Sequence, residues 1–342
     1  MDVATANPAS TDTLVGGVEN LKINSQAKAV REPTSVDECR QRLEKAIKSK
    51  GLQQFYPEVT NELAERAANL VNELRDKKQC SWEMANQFAI LALYDLAILI
   101  DDSDSMVYDQ KGARIKTLQK ILNAIADIYN LAREQGILTV RFLNATKGKK
   151  NVTAKTVKTV IKGHDYGGVT RIGTELKKKI LDKFVLGVDM KKPLLIMVIT
   201  DGAAEGESTN LLESVIKNCI YELSKEGGTA KGPNSVAFQF SRVGDDDGAM
   251  ELLKKLDDDK EVGIYVDCLP MTNRLEDLGE KPERKWVLMS KLLLGAISDY
   301  WDGADEEIDD ETKGTLDPKA NTNDDSDEED EEVDGSDEED EE

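Results

Sequence analysis

The sequence predicts an α/β fold with a doubly wound, mostly parallel sheet. Continuous apolar runs such as Leu96–Ile100 and Leu194–Thr200 suit strands that are buried on both faces of a parallel sheet. Between such runs lie amphipathic segments such as Arg114–Glu134, whose apolar residues recur every three or four positions, as in a helix. Strands that alternate with helices imply right-handed crossovers in one open sheet.

The same patterns predict each element along the chain. We expect an N-terminal module of three helices, because its apolar residues also follow helical spacing. The predicted helices of this module are Val36–Lys48, Val59–Lys77 and Trp82–Leu93. The predicted strands are Leu96–Ile100, Ile137–Leu143, Leu194–Thr200, Val236–Phe240 and Val262–Cys268. The predicted helices among the strands are Arg114–Glu134, Thr174–Phe184, Asn210–Ser224, Gly248–Leu256 and Trp286–Trp301.

The composition divides the chain into four parts. Residues 1–35 are polar and lack periodicity, so we expect them to be disordered. The helical module at 36–93 is small and should pack on the α/β domain at 94–301. Residues 302–342 hold 23 acidic residues and two lysines and are expected to form a disordered acidic tail. Ser326 and Ser336 begin two copies of an acidic repeat in this tail, and we expect an acidophilic kinase to phosphorylate them.

The charge distribution restricts the classes of partner. The tail has a net charge of −21 out of −22 for the whole chain, which leaves residues 1–301 almost neutral. The basic surface that marks nucleic-acid binding proteins is therefore not expected. No apolar segment reaches the about 20 residues that a membrane helix needs, and residues 1–24 do not resemble a secretory signal. Cys219 and Cys268 lie in apolar stretches and are interpreted as buried thiols, which indicates a cytoplasmic or nuclear protein.

Three short motifs are predicted to meet at one edge of the sheet. A D-x-S-x-S sequence, Asp101 to Ser105, directly follows the first buried strand, and a Thr-Asp-Gly sequence ends the Leu194–Thr200 strand. A glycine-flanked loop presents a threonine just before a helix. In doubly wound sheets, ligands bind outside the carboxyl ends of the strands. The side chains expected to converge there are Asp101, Ser103, Ser105, Thr170 and Asp201.

This set of side chains predicts one divalent metal ion. Its ligands would be two carboxylates and three hydroxyls, which are hard oxygen donors that suit Mg²⁺, Mn²⁺ or Ca²⁺ and argue against Zn²⁺; Mg²⁺ is expected first, with Mn²⁺ as its alternative. Because only two of these ligands are charged, waters or a partner group must complete the shell. Asp104, within the first motif, is expected to face solvent and to add negative potential.

Together, the three motifs resemble the metal-ion-dependent adhesion site of von Willebrand factor A (vWA) domains over about residues 93–270. The resemblance assigns Asp101, Ser103 and Ser105 to the first motif, Thr170 to the second and Asp201 to the third. The sequence departs from the family pattern at Asp104, where glycine is usual. The helical module with its Phe55-Tyr56-Pro57 sequence also resembles fungal proteins that place helices before this domain, a resemblance that implies no function.

Other polar features have simpler interpretations. His164, the only histidine, is expected to be a surface loop residue. The loop Gly244–Gly248 lacks the EF-hand pattern and is expected to be a polar turn that caps the next helix. The basic clusters Lys147–Lys150 and Lys177–Lys179 are expected to be solvated faces, although they are also available to the acidic tail.

These observations favour a protein-interaction module rather than an enzyme. The partner would be a protein that offers a Glu or Asp carboxylate to the metal, and the acidic tail of the chain itself is a candidate for an intramolecular contact there. The alternative is that the tail binds basic proteins, as a histone-binding or chaperone-like protein would, with the vWA-like domain as a scaffold. A metal-dependent hydrolase ranks last, because no general base is evident beside the motifs.

Overall fold

Six strands form one sheet in a computed structural model that describes residues 32–108, 112–225, 232–269, 275, 278 and 282–302. Their order across the sheet is β3-β2-β1-β4-β5-β6; β3 runs antiparallel to β2, and the other neighbours are parallel. The predicted α/β class is confirmed. The strands are β1 (Asp95–Ile100), β2 (Ile137–Phe142), β3 (Lys149–Val152), β4 (Leu194–Thr200), β5 (Val236–Arg242) and β6 (Val266–Cys268).

The strand order reverses at β1, because the chain passes from β1 to β2 on one side and later to β4 on the other. Such a switch point is where doubly wound sheets bind ligands. Here β1 and β4 are direct neighbours, with Ile100 opposite Ile199 at their carboxyl ends. The residues that follow these two strands therefore start side by side.

Helices cover both faces of the sheet. The α-helices are α1 (Val36–Ser49), α2 (Asn61–Lys78), α3 (Trp82–Gln87), α4 (Ser105–Tyr108), α5 (Ala113–Ala132), α6 (Lys158–Ile161), α7 (Ile172–Leu176), α8 (Asp182–Phe184), α9 (Leu211–Ser224), α10 (Asp247–Asp257), α11 (Pro282–Leu294) and α12 (Asp299–Asp302). A π-helical turn, Lys177–Leu181, joins α7 to α8. Short 3₁₀ helices are Phe88–Leu93, Pro233–Ser235, Gly263–Tyr265 and Gly295–Ile297.

Strand β1 separates two hydrophobic cores, because successive side chains of a strand point to opposite faces of the sheet. Leu96, Ile98 and Ile100 belong to a core with apolar residues of α1, α2, α5 and α11. Ala97 and Leu99 belong to the second core, with apolar residues of α7, α9 and α10. All five side chains are fully buried, as the continuous apolar run predicted.

The N-terminal helices begin at well-formed caps and share the first core. The Ser35 hydroxyl accepts a hydrogen bond from the Glu38 backbone N–H, and the Glu38 carboxylate accepts one from Ser35, which forms a capping box at α1. Tyr56 donates its hydroxyl proton to the Leu93 carbonyl. Apolar residues of this module lie in the same core as β1, so the expected packing of the module on the sheet is observed.

Several element boundaries differ from the prediction, and strand β3 was not predicted. The segment Trp82–Leu93 is an α-helix only to Gln87 and then tightens into a 3₁₀ helix. Of the predicted strand Val262–Cys268, only β6 pairs with β5, and the preceding residues form a 3₁₀ turn. The last predicted helix begins earlier, at Pro282, and the α-helix ends at Leu294.

Of the predicted disordered segment 1–35, residues 1–31 lie outside the described residues. Thr34 is buried and its N–H donates to Asn72 Oδ1 at 2.9 Å, and Ser35 caps α1, so the prediction was wrong for this end of the segment. The predicted acidic tail from residue 303 onward, with its two predicted phosphorylation sites, also lies outside the described residues. Within the described residues, no helix combines the length and the apolarity needed to cross a bilayer. All four cysteines are buried and free, so the prediction for Cys219 and Cys268 is confirmed.

Candidate functional site

The first part of the site lies where the adjacent strands β1 and β4 end. Asp101 follows β1, and its N–H donates to the Ile199 carbonyl at 2.8 Å, which continues the β1–β4 pairing by one residue. Its Oδ1 accepts from the Ser103 N–H at 2.9 Å, and its Oδ2 accepts from the Thr200 hydroxyl at 2.7 Å. The Asp101 carboxylate is buried and is held between the two strand ends.

A chain of hydroxyl hydrogen bonds joins the first motif to the third. Ser105 Oγ donates to Asp201 Oδ1 at 3.0 Å, and Ser103 Oγ lies 3.0 Å from Ser105 Oγ. Because Ser105 gives its only hydroxyl proton to Asp201, Ser103 must be the donor in the second bond. Both lone pairs of the Ser103 oxygen and one lone pair of the Ser105 oxygen therefore stay available to a cation. Four of the five predicted ligands are thus brought into one cluster.

Thr170, the fifth predicted ligand, lies in a loop that is hydrogen-bonded to the loop after β1 and to the loop after β4. The Asp104 N–H donates to the Gly168 carbonyl at 3.3 Å, which ties this loop to the first motif. The Glu205 N–H donates to the Thr170 carbonyl at 2.9 Å, which ties it to the loop after β4. Thr170 is buried between the two. Backbone hydrogen bonds thus connect the three loops that carry the predicted site.

The helix after Thr170 is also anchored to the loop after β4. The Glu207 carboxylate accepts hydrogen bonds from the N–H groups of Gly173 at 2.8 Å and Thr174 at 2.9 Å, in the first turn of α7. A carboxylate at this end is favourable because it satisfies unpaired N–H groups and complements the helix dipole. A Cβ on Gly173 would lie 2.8 Å from the Leu212 backbone nitrogen, so only glycine permits this approach of α7 to α9.

His164 is not the exposed loop residue that we predicted. Its Nε2 lies 2.8 Å from Asp102 Oδ2, and its ring stacks on Phe142 with centroids 3.6 Å apart. Asp102 is buried, and its Oδ1 also accepts from the N–H of Asn144 at 2.7 Å and from its Nδ2 at 3.0 Å. The prediction was wrong because the sequence did not reveal this buried acceptor. Asp102, the second residue of the first motif, fastens the site loop to the end of β2 and to the His164 loop.

Arg114 is a site residue that the sequence analysis missed. It is the second residue of α5, and its guanidinium Nη1 donates to Asp201 Oδ2 at 2.6 Å. Both side chains are buried, with 5% of Arg114 and none of Asp201 exposed. Nη2 lies 3.9 Å from Asp245 Oδ1, beyond the end of β5. A signal was available, since a cation at the start of a helix is opposed by the helix dipole and needs another reason to be there.

Burial and a neighbouring carboxylate dominate the electrostatics of Asp201. Burial raises the pKa of Asp201 from its ordinary value of 3.8, and the nearby Asp101 carboxylate raises it further, to about 6. The hydrogen bonds from Arg114 and Ser105 act in the opposite direction but do not cancel this rise. Two carboxylates with one guanidinium leave the inner cluster with a net charge of −1 when all three are ionised. Such a cluster favours an additional cation.

The donor chemistry fits a hard divalent cation. Within the described residues, no group of three or more His, Cys, Asp or Glu side chains is arranged to hold a metal ion. The cluster at the β1 and β4 ends has a different composition, with two carboxylates and adjacent hydroxyls. Asp101, Ser103, Ser105 and Asp201 would hold the ion, and Thr170 lies in the adjoining loop. Mg²⁺ and Mn²⁺ are matched to such oxygen ligands.

Exposed apolar side chains adjoin the cluster. Val107 and Tyr108 lie on α4, which begins at Ser105, and are 37% and 79% exposed. Val169 precedes Thr170 and is 39% exposed. Asp104 is exposed on the same loop as Ser105, as predicted. A polar centre bordered by exposed apolar side chains is a common composition of protein-binding surfaces.

Two other predictions have clear outcomes. Asp246 caps α10, and its side chain accepts from the Ala249 N–H at 2.7 Å, so the capping turn is confirmed. The Lys177–Lys179 cluster is only partly a solvated face. Lys179 is buried, and its ammonium donates to the carbonyls of Phe142 at 2.8 Å and Ala145 at 2.9 Å, at the end of β2.

Comparison with known proteins found solved structures of low sequence identity. No family model and no curated protein matches the chain. One similar solved structure is a von Willebrand factor type A protein from Catenulispora acidiphila, with 17% identity and a TM-score of 0.36; the match covers 56% of this chain and 42% of that chain. Another is proximal thread matrix protein 1 from the mussel byssus, with 18% identity, a TM-score of 0.38, and coverage of 57% and 47%.

A third similar structure is the ArnB paralog VWA2 from Sulfolobus acidocaldarius, with 15% identity and a TM-score of 0.33. That match covers 59% of this chain and 44% of the other. This chain therefore spans less than half the length of each of these three proteins. The six-stranded, mostly parallel sheet with helices on both faces is an α/β fold.

Proposed function

We propose that this protein is an interaction module that binds an acidic group of a partner protein through one Mg²⁺ or Mn²⁺. The ion would be held by Asp101, Ser103, Ser105, Thr170 and Asp201. The observation that carries the proposal is the hydrogen-bonded chain from Ser103 through Ser105 to Asp201, which joins the ends of β1 and β4 while leaving hydroxyl lone pairs available. The adhesion-site resemblance of vWA domains implies the same set of ligands.

The charge of the site favours an acidic partner. The inner cluster of Asp101, Asp201 and Arg114 has a net charge of −1, so a bound divalent cation would give the site a net charge of +1. A carboxylate from a partner would neutralise it and supply another oxygen ligand. Mg²⁺ requires octahedral coordination, and five protein ligands leave a position for such a group. A Glu or Asp side chain is therefore the partner chemistry that the site fits best.

The surroundings of the site suit a protein partner. Exposed Val107, Tyr108 and Val169 would add apolar contact area around the coordinated carboxylate. Interfaces commonly combine apolar contact with a small number of polar anchors, and tyrosine is enriched in them. A partner segment with an acidic residue next to apolar residues would match both features.

We propose a binding role rather than catalysis. His164, the only histidine, contacts the first motif, but its Nε2 already pairs with the Asp102 carboxylate. A general base must reach the proton that it removes. The paired Nε2 instead serves to position the loop, and the neighbouring carboxylates are engaged with Arg114, Thr200 and hydroxyl donors.

Metal titration tests the proposal. Calorimetry with Mn²⁺ should show one site in the wild type and at least about a tenfold loss of affinity in Asp101→Ala and in Ser105→Ala, because each substitution removes an oxygen ligand. Asp104→Ala is the matched control, since Asp104 is exposed on the same loop, and its affinity should change by less than about threefold. Circular dichroism must show that each variant is folded. Equal Mn²⁺ affinity in the wild type, Asp101→Ala and Ser105→Ala would refute the assignment.

A further inference from the structure

We infer that Arg114 makes metal binding depend on the acidic ligand, by holding a permanent positive charge against Asp201. The inference rests on the proposed function and adds the control of that site. Without a partner carboxylate, the guanidinium neutralises one of the two carboxylates and keeps the affinity for the metal low. With the carboxylate present, the metal and the ligand stabilise each other.

The geometry makes Arg114 part of the site rather than part of the helix surface. Its Nη1 donates to Asp201 Oδ2 at 2.6 Å, while Ser105 donates to Oδ1 of the same carboxylate at 3.0 Å. Both oxygens of Asp201 thus have a protein donor, and one of those donors is a full positive charge. A guanidinium is planar and offers its N–H donors in a fixed geometry that matches a carboxylate, so it pairs closely with Asp201.

The guanidinium is also confined to this position. A Cβ on Gly244, which has a φ of +85°, would lie 2.6 Å from Arg114 Nε, so the loop after β5 closes directly over the side chain. Asp245 in that loop lies 3.9 Å from Nη2 and is largely exposed. Arg114 cannot swing into solvent without displacing this loop. The positive charge therefore stays beside Asp201 when a metal ion binds.

The consequence for metal binding follows from charge. A divalent ion near Asp201 is attracted by two carboxylates and repelled by one guanidinium, in a buried setting where screening by water is weak. A partner carboxylate would restore the missing negative charge. By linkage, a ligand that raises the affinity for the metal must have its own affinity raised by the metal to the same extent.

A variant pair separates charge from shape. Arg114→Gln removes the charge but retains an N–H donor for Asp201, whereas Arg114→Lys retains the charge. Titration with Mn²⁺ alone should show at least about tenfold tighter binding in Arg114→Gln than in the wild type, within the usual range of coupling between sites. Arg114→Lys should remain within about threefold of the wild type. Equal or weaker binding in a folded Arg114→Gln variant would overturn the inference and leave the proposed metal site intact.

A second measurement uses an acidic peptide in place of the partner. Millimolar acetylated, amidated tetraglutamate should raise the Mn²⁺ affinity of the wild-type chain at least about fivefold, which is the lower end of typical coupling. The same peptide should raise the affinity of Arg114→Gln less. An unchanged Mn²⁺ affinity of the wild type in the presence of the peptide would also overturn the inference. If neither the wild type nor Arg114→Gln binds Mn²⁺, the proposed function fails and the inference fails with it.

Discussion

The Nε2 atom of His164 lies 2.8 Å from Oδ2 of Asp102, although 62 residues separate the two in the sequence. The contact joins the D-x-S-x-S loop to the loop that leads to Thr170. Stacking on the Phe142 ring fixes the plane of the imidazole. The positions of two of the three predicted motifs therefore depend on a residue that belongs to neither.

Replacing His164 should weaken the fold near the site. His164→Ala removes a hydrogen bond to a buried carboxylate and an aromatic contact, so the free energy of unfolding should fall by about 1–3 kcal/mol. Urea denaturation measures this loss. Asp165→Ala is the control, because Asp165 is the exposed neighbour and its removal should cost less than about 0.5 kcal/mol. Similar values for the two variants would show that the Asp102 contact contributes little.

The raised pKa of Asp201, about 6, predicts an unusual dependence of stability on pH in the metal-free protein. Because the folded-state pKa lies above the unfolded value, protonation stabilises the fold. This contribution is complete below about pH 4 and is lost as the pH rises through about 6, with a total of about 1–3 kcal/mol. Asp201→Asn cannot ionise and should lack this step. The check is the difference in unfolding free energy between the two proteins from pH 4 to pH 7, in EDTA; a difference that stays constant would contradict the assignment.

The same ionisation should govern the uptake of metal. A ligating carboxylate must lose its proton, so Mn²⁺ affinity should fall by up to about tenfold per pH unit below about pH 6. Calorimetry at several pH values measures the slope, and proton release on binding provides an independent readout. An affinity that stays flat from pH 7 to pH 5 would place the metal away from Asp201.

The shared core predicts that the helical module and the sheet unfold together. Phe88 is fully buried, and its ring meets Trp286 of α11 edge-on at 6.0 Å between centroids. Phe88→Ala should lower the free energy of unfolding by about 3–5 kcal/mol while keeping a single transition. Tyr221→Ala, at a 63% exposed position, is the control and should cost less than about 0.5 kcal/mol. Two separate transitions in the wild type would contradict the shared core.

Chelation and tail deletion distinguish the two binding hypotheses. If a partner carboxylate coordinates the metal, EDTA should abolish partner binding, and a chain that lacks residues 303–342 should still bind. If the acidic tail is the binding element, the pattern should reverse, and binding should fade with salt because it depends on exposed charges. The test is to measure how much partner the full chain captures in Mg²⁺ and in EDTA, and how much the truncated chain captures in Mg²⁺.

The buried strands were the most predictable elements, because burial on both faces leaves continuous apolar runs in β1 and β4. Strand β3 was missed, since Lys149 and Lys150 are exposed there and resemble a solvated turn. Val262 to Tyr265 is as apolar as a strand, but these residues form a 3₁₀ turn, and a short apolar run alone does not distinguish the two.

Only those residues of the candidate site that belong to local sequence motifs were predictable. Asp101, Ser103 and Ser105 lie within five residues directly after β1, and Asp201 directly follows β4. Because β1 and β4 are neighbours in the sheet, strand order alone brings these residues together. Arg114 and His164 contribute through tertiary contacts, with Asp201 and Asp102 respectively. Such contacts leave no spacing in the sequence. The position of Arg114 against the helix dipole was the one local hint.

The two outer strands of the sheet are short, with four residues in β3 and three in β6. An exposed strand edge offers unpaired backbone groups to any other extended chain, and short, lysine-bearing edges discourage such addition. Lys149 and Lys150 place two ammonium groups on the β3 edge. Pairing of two copies through the β3 edge is therefore disfavoured. Replacing both lysines with valine would remove this protection and turn the β3 margin into a template for aggregation.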